Sequence, residues 1–376
     1  MKKENKKRIW LITILTIIIE IAITILTGIN NIAVVYANNE KDNKENPSYF
    51  NLADSYYLKV ENQGSEGNCW TFASLNSLET YLMMHGYGEY DFSEKHLSII
   101  ESTEFYGTRG QSINRKPNTN GNFEEAIDYI ISGYGPVLEE DFPYNLEYTT
   151  DDYENFLNIT PVAYVGSYIN FPIIVKDEDN KTDIKKVEEI RKQIKCHIME
   201  NGSVAALTIS PQCSDEIYNE KTAAEFIPPD VANYIDTSEY RHIVSIIGWD
   251  DNYSKENFNE ANQPENDGAY IVLNSWGKEF GNGGLFYVSY EDYYIEQNMY
   301  GITEASTDKN ELKSLRSIQF KDINLYNKIK ELLGKKITIY DDSKMEITLS
   351  DSSISSVEKL DLSNSKINNL SGIEEF

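Results

Sequence analysis

The sequence predicts an α+β chain, a helical half followed by a strand-rich half with a cleft between the two layers. Three observations predict it. Apolar residues recur at helical spacing at Trp70, Phe72, Leu75, Leu78, Tyr81 and Leu82, and again at Phe123, Ala126, Ile127 and Ile130. The period changes after residue 200. Val204–Ile209 is a buried-type apolar run, and Tyr240–Trp249 alternates, with His242, Val244, Ile246 and Gly248 on one face. Turn signals separate these stretches: His85-Gly86, Gly133-Tyr134-Gly135-Pro136 and Asn201-Gly202.

In chain order, residues 1–37 read as an export signal. Lys2, Lys3, Lys6, Lys7 and Arg8 lead into an apolar run from Ile9 to about Leu26, and Val35-Tyr36-Ala37 offers small residues for cleavage. The run is long enough to be weighed as a membrane anchor, which Glu20 argues against. Residues 38–50 form a polar linker. The stretch between Ala37 and Cys69 is too short for a long helical prosegment. The main domain spans 51–303. Within it a helix is expected to run from Trp70 to His85, a second over 123–132 and a third over 188–199. Strands are expected over 204–209, 240–249, 269–274 and 285–290. Residues 304–322 read as a linker and Ile323–Leu333 as a short helix. Val357, Leu360, Leu362, Asn364, Ile367, Leu370, Ile373 and Phe376 then fit a leucine-rich-repeat pattern. A single repeat cannot bury its own face, so the chain is expected to continue into further repeats with a protein ligand of their own.

The 376 residues carry a net charge of −27 and no basic stripe, which excludes non-specific nucleic-acid binding. Abundant Lys, Ile, Asn and Tyr match the coding style of an AT-rich bacterial genome. There are three cysteines, Cys69, Cys196 and Cys213, an odd count that leaves at least one thiol. Cys196 and Cys213 read either as a disulfide or as two buried thiols. No cluster has metal-ligand spacing, and no cofactor motif is present.

The chemistry concentrates at Cys69. Asn62-Gln63-Gly64-Ser65-Glu66-Gly67-Asn68 is a polar loop that runs into the first helix, placing the thiol at a helix N-terminus, where the dipole favours thiolate. Gln63 supplies an amide suited to an oxygen that turns negative during attack on a carbonyl. A cysteine nucleophile needs a base, and the chain has four histidines. His85 lies at the far end of the helix, roughly 20 Å away by helix rise. His96 and His197 read as surface or cap residues. His242, opening a strand of the second half, is the candidate base. Asn274, before Ser275-Trp276-Gly277, is positioned to accept from the imidazole Nδ1–H while Trp276 shields that bond.

These residues resemble the papain-like cysteine peptidases. The resemblance rests on Gln63-Gly64 through Cys69-Trp70-Thr71-Phe72-Ala73, Asp141-Phe142-Pro143-Tyr144 and Gly202-Ser203-Val204-Ala205-Ala206. It continues through His242 to Asp250 and through Asn274-Ser275-Trp276-Gly277 with Gly283-Gly284-Leu285-Phe286. It implies a two-lobed fold with a β-barrel-like second lobe, and peptide-bond hydrolysis by Cys69, His242, Asn274 and Gln63 without a cofactor. It also implies substrate contacts at Gly121, Asn122, Leu207 and Trp276. Glu66 stands where the family usually has a disulfide-forming cysteine; it reads as a solvated loop residue, the sharper alternative being a bias toward basic substrates. Phe280 replaces a common tryptophan. The Cys69-to-His242 separation exceeds the roughly 130–150 residues usual for the family, and the polar stretches 173–183 and 250–267 read as the insertions responsible. The expected protein is an exported bacterial endopeptidase, secreted or associated with cell wall or membrane. The rival expectations are an adhesion protein without turnover and an acyl transferase.

Overall fold

The computed structural model describes residues 46–102, 116–131, 134–149, 152–156, 158–174, 184–232, 240–313, 315–333, 339–341 and 343–350, and within the tail 354, 357, 359–363, 365–373 and 376. The expected export signal, the end of the second helix beyond Ile131, most of the 173–183 stretch and Asn364 lie outside the described residues. One compact unit runs from Ser48 onward.

Its elements are β1 (Tyr49–Asn51), α1 (Cys69–Met84), α2 (Glu94–Ile100), α3 (Phe123–Ile130), α4 (Tyr153–Phe156), β2 (Tyr164–Asn170), α5 (Ile184–Asn201) and β3 (Val204–Ile209). They continue with β4 (Tyr218–Asn219), β5 (Ala224–Glu225), α6 (Pro229–Ala232), β6 (Arg241–Asp250), β7 (Ala269–Leu273), β8 (Leu285–Ser289) and β9 (Met299–Ser306). A small C-terminal group completes the chain: β10 (Leu315–Gln319), α7 (Ile323–Leu333), β11 (Ile339–Asp341) and β12 (Glu346–Ser350).

The helices expected from periodicity are present, as are all four expected strands, each within a few residues of its expected ends. The large sheet runs β2-β9-β3-β6-β7-β8-β5-β4, with β1 added to the far end of β6. β6 is thus a central strand, hydrogen-bonded antiparallel to β3 and β7. Its residues are buried from His242 through Trp249 because both faces are covered. Ile243 joins a core with α1, α2 and α3, whereas Val244, Ile246 and Trp249 join a second core with α5. These two cores are the two lobes, and α1 belongs to the first and packs along the sheet, with Trp70, Leu75, Leu78 and Leu82 fully buried.

Gly248 marks the tightest backbone approach in this sheet. A Cβ there would stand 2.2 Å from the Phe50 carbonyl oxygen and 2.8 Å from Asn51 Cα, so only glycine lets β1 pair with β6.

The C-terminal group has its own core of Ile318, Phe320, Leu325, Tyr326, Ile329, Leu333, Ile347 and Leu349. Val357, Leu360, Leu362, Ile367, Ile373 and Phe376 pack onto it, while Leu370 is exposed. The tail's apolar pattern therefore covers this small core. No strand occurs among its described residues from 357 to 373.

Two expectations about histidines are corrected. His96 is fully buried, its Nδ1 2.7 Å from the Tyr129 hydroxyl and its Nε2 3.1 Å from the Phe156 carbonyl. His197 is buried on α5 against the edge of Phe171. A short helix with charged residues, or a helix with few apolar positions, reads as surface in sequence and is covered here by neighbouring elements. Cys196 and Cys213 do not form a disulfide.

Candidate active site

Cys69 is the first residue of α1 and 6% exposed. Its thiol lies against the backbone of Ile243, the residue after His242. Sulfur and imidazole therefore share one cleft of about 680 Å³, lined also by Gln63, Glu66, Asn120, Ser210, Gln212, Arg241 and Trp276. The His242 Nε2–H donates to Asn274 Oδ1 at 2.7 Å. The Trp276 ring lies over the imidazole, with centroids 4.8 Å apart. The expectation that Asn274 takes the Nδ1–H is corrected: Asn274, directly after β7, meets the ring at Nε2 and takes the Nε2–H. Nδ1 is left unengaged by Asn274.

Burial controls both ionisable groups. It pushes the Cys69 thiol up to about 11, against the backbone donors around the sulfur. It pushes His242 down to about 4, against the Asn274 hydrogen bond. The expected thiolate stabilisation by the helix N-terminus is outweighed: a dipole contributes about 1–2 kcal/mol at most, and removing an anion from water costs several. Each group alone is therefore neutral, and a proton passed from one to the other creates two charges that partner each other.

Gln63 is 7% exposed and held through both its backbone and its side-chain amide. Its N–H donates to Ser275 O at 2.8 Å, its Oε1 accepts from Ser275 Oγ at 2.6 Å, and its Nε2 donates to Glu66 O at 2.7 Å. An amide nitrogen carries two hydrogens, so one remains for another acceptor.

The other expected contact residues are scattered. Gly121 lies under Trp70, where a Cβ would stand 2.5 Å from the indole, so packing alone requires glycine there. Asn122 caps α3 by accepting from the Glu125 N–H at 2.9 Å. Leu207 is half-buried against the first core. Asn120 lines the cleft instead. Glu66 is a partly exposed loop residue, as expected, but its carboxylate is paired as well as solvated: it accepts from Lys95 Nζ at 3.1 Å and from Asn68 Nδ2 at 3.0 Å. Sequence reading passed over Ser275, Asn68, Lys95 and the role of Tyr144. The available signals were the Asn274-Ser275-Trp276-Gly277 and Asp141–Tyr144 motifs, and Ser93, whose hydroxyl caps α2 at the His96 N–H.

Among the described residues no group of three His, Cys, Asp or Glu side chains could hold a metal ion. None of their helices is long and apolar enough to cross a membrane.

The model of the papain family of cysteine proteases matches residues 46–308, more than half of the chain. The chain belongs to the papain family of cysteine proteases. Among curated relatives, fruit bromelain of Ananas comosus is 27% identical over 227 residues, covering 60% of this chain and 50% of that protein. The chain thus spans about half the length of the first curated relatives it matches. Among solved structures, the clostridial cysteine protease Cwp84 after propeptide cleavage is 28% identical with a TM-score of 0.56, covering 73% of this chain and 61% of that one. The cysteine protease and lectin-like domains of Cwp84 from Clostridium difficile, a surface layer associated protein, give 27% and 0.57, covering 73% and 55%. The papain fold accounts for the two cores and for α1 packed along the sheet.

Proposed function

We propose that the chain is an exported cysteine endopeptidase acting through Cys69, His242, Asn274 and Gln63. The observation that carries this reading is the hydrogen bond from His242 Nε2–H to Asn274 Oδ1 beneath Trp276, in the cleft that Cys69 also lines. It leaves Nδ1 free to take the thiol proton.

That arrangement dictates the cycle. The Cys69 Sγ–H proton moves to His242 Nδ1, and the sulfur attacks the scissile carbonyl carbon. The negative oxygen is held by the second Gln63 Nε2–H and the Cys69 backbone N–H. His242 returns the proton to the leaving amine, and the C–N bond breaks to give a thioester. Water, losing a proton to the same imidazole, displaces the sulfur and releases the carboxylic acid. The substrates are peptides or proteins, and no cofactor enters.

The protein is placed outside the cell, secreted or at the surface. The motif reading of residues 1–37 and the surface-layer association of Cwp84 support this. The segment from Val357 to Phe376 is read as the start of leucine-rich repeats, capped by the α7 and β10–β12 group, with a protein ligand for the repeats.

The test is Cys69→Ala in the full chain, assayed on a quenched fluorogenic peptide library. Hydrolysis is expected to fall by roughly 10⁴-fold or more. Undiminished hydrolysis would refute the assignment. Retained binding without turnover by the unaltered protein would favour an adhesion role, and an amide product formed with an added amine would favour acyl transfer.

A further inference from the structure

Behind the loop that carries Gln63 lies a buried polar network. Lys95 on α2 is 5% exposed, with Nζ 3.1 Å and 3.3 Å from the two Glu66 oxygens and 5.4 Å from the centre of the Tyr144 ring. Asn68 has no exposed surface. Its Nδ2 donates to Glu66 Oε2 at 3.0 Å, to the Tyr144 hydroxyl at 3.1 Å and to Asn118 Oδ1 at 3.4 Å. Its Oδ1 accepts from Ser98 Oγ at 3.0 Å. The Tyr144 hydroxyl donates to Gln63 O at 3.0 Å. The Asn118 N–H donates to Ser98 Oγ at 2.8 Å, and the Gly67 N–H to Asn118 O at 3.2 Å.

The network leads to a single atom. Glu66 presents its carboxylate to Lys95 and, at the other end of the same residue, its carbonyl to Gln63 Nε2 at 2.7 Å. Lys95 therefore reaches the amide of Gln63 in two steps. We propose that Lys95 is a positioning residue whose ion pair with Glu66 fixes the carbonyl that aims the Gln63 amide at the developing oxyanion. The inference rests on the proteolytic reading of the site. Lys95 is 5% exposed, and removing its carboxylate partner leaves a buried charge uncompensated.

The experiment uses Lys95→Met, Glu66→Gln and the double variant in the full chain. Four quantities are read: kcat and KM on a neutral peptide, the melting temperature, and the rate of Cys69 alkylation by iodoacetamide. Alkylation needs the thiol and imidazole but forms no tetrahedral oxyanion. For Lys95→Met, kcat is expected to fall about 10–100-fold, KM to stay within about threefold, and alkylation within about twofold. Glu66→Gln strands the buried ammonium and is expected to be worse, with activity partly recovered in the double variant. Wild-type kcat in Lys95→Met, equal losses of kcat and alkylation, or a double variant that multiplies the two single losses would overturn the inference while leaving the protease intact. An unaltered chain that hydrolyses no peptide would overturn the protease reading and this inference with it.

Discussion

The two walls of the cleft are held by different means. The His242 wall is backbone: β6 is laddered to β3 and β7 on its two sides, Thr208 stands opposite His242, and the Asn274 N–H donates to Gly284 O at 3.0 Å. The Cys69 wall relies more on side chains: besides two backbone bonds, from Gln63 N–H to Ser275 O and from Gly67 N–H to Asn118 O, the loop from Gln63 to Asn68 is tied by Asn68, Glu66, Lys95 and Tyr144. Ladder bonds survive most substitutions because every residue supplies the same groups. Side-chain bonds vanish with the residue that makes them. The base is thus robustly placed, and the oxyanion loop depends on a few identities.

The largest effect expected from breaking this contrast comes from a ladder position where identity does matter. Gly248→Val drives a side chain into the Phe50 carbonyl and Asn51, backbone that cannot move aside. The expected loss is about 3 kcal/mol or more, read as a lowered urea midpoint. An unshifted midpoint would show the β1–β6 contact to be soft.

Asn274→Ala should come next. It removes the acceptor for the His242 Nε2–H and is expected to lower kcat roughly 10–100-fold with far-UV circular dichroism unchanged. Equal activity would mean the ladder and Trp276 alone hold the ring.

On the opposite wall, Asn68→Ala deletes an amide whose two N–H face three acceptors and whose oxygen accepts from Ser98, at a residue with no exposed surface. The expected cost is about 1–3 kcal/mol in stability and roughly tenfold in kcat. Activity loss without loss of stability would sharpen the contrast, since a ladder residue would show the reverse.

The smallest effect is a titration. Burial holds His96 down to about 4, against the Phe156 carbonyl bond, so the folded ring is neutral while the unfolded ring takes a proton near 6.5. Its contribution to stability is present above pH 6.5 and is lost as the pH falls through about 4. In heteronuclear NMR of the His96 ring no titration is expected between pH 7 and 5. A midpoint near 6.5 would place water at that ring.

Much of this was legible in the residues. The stripe from Trp70 to Leu82 and the alternation around His242 are strong periodic signals, and they gave α1 and β6 nearly to their ends. Other features were not. Glu94-Lys95-His96 is a run of three polar residues, which reads as surface, yet α2 buries all three beneath the loop. The choice of Nε2 over Nδ1 depends on which edge of the imidazole β7 meets, a matter of register that no single residue records. The ion pair at Glu66 joins positions 29 apart, and only the packing of α2 against α1 brings them together.

None of the three cysteines is tied into a disulfide. A thiol enzyme works only while its sulfur stays reduced, and relatives that rely on crosslinks must balance that need against the integrity of their scaffold. This chain meets no such conflict. A strong reductant that protects Cys69 has no disulfide to cut among the described residues.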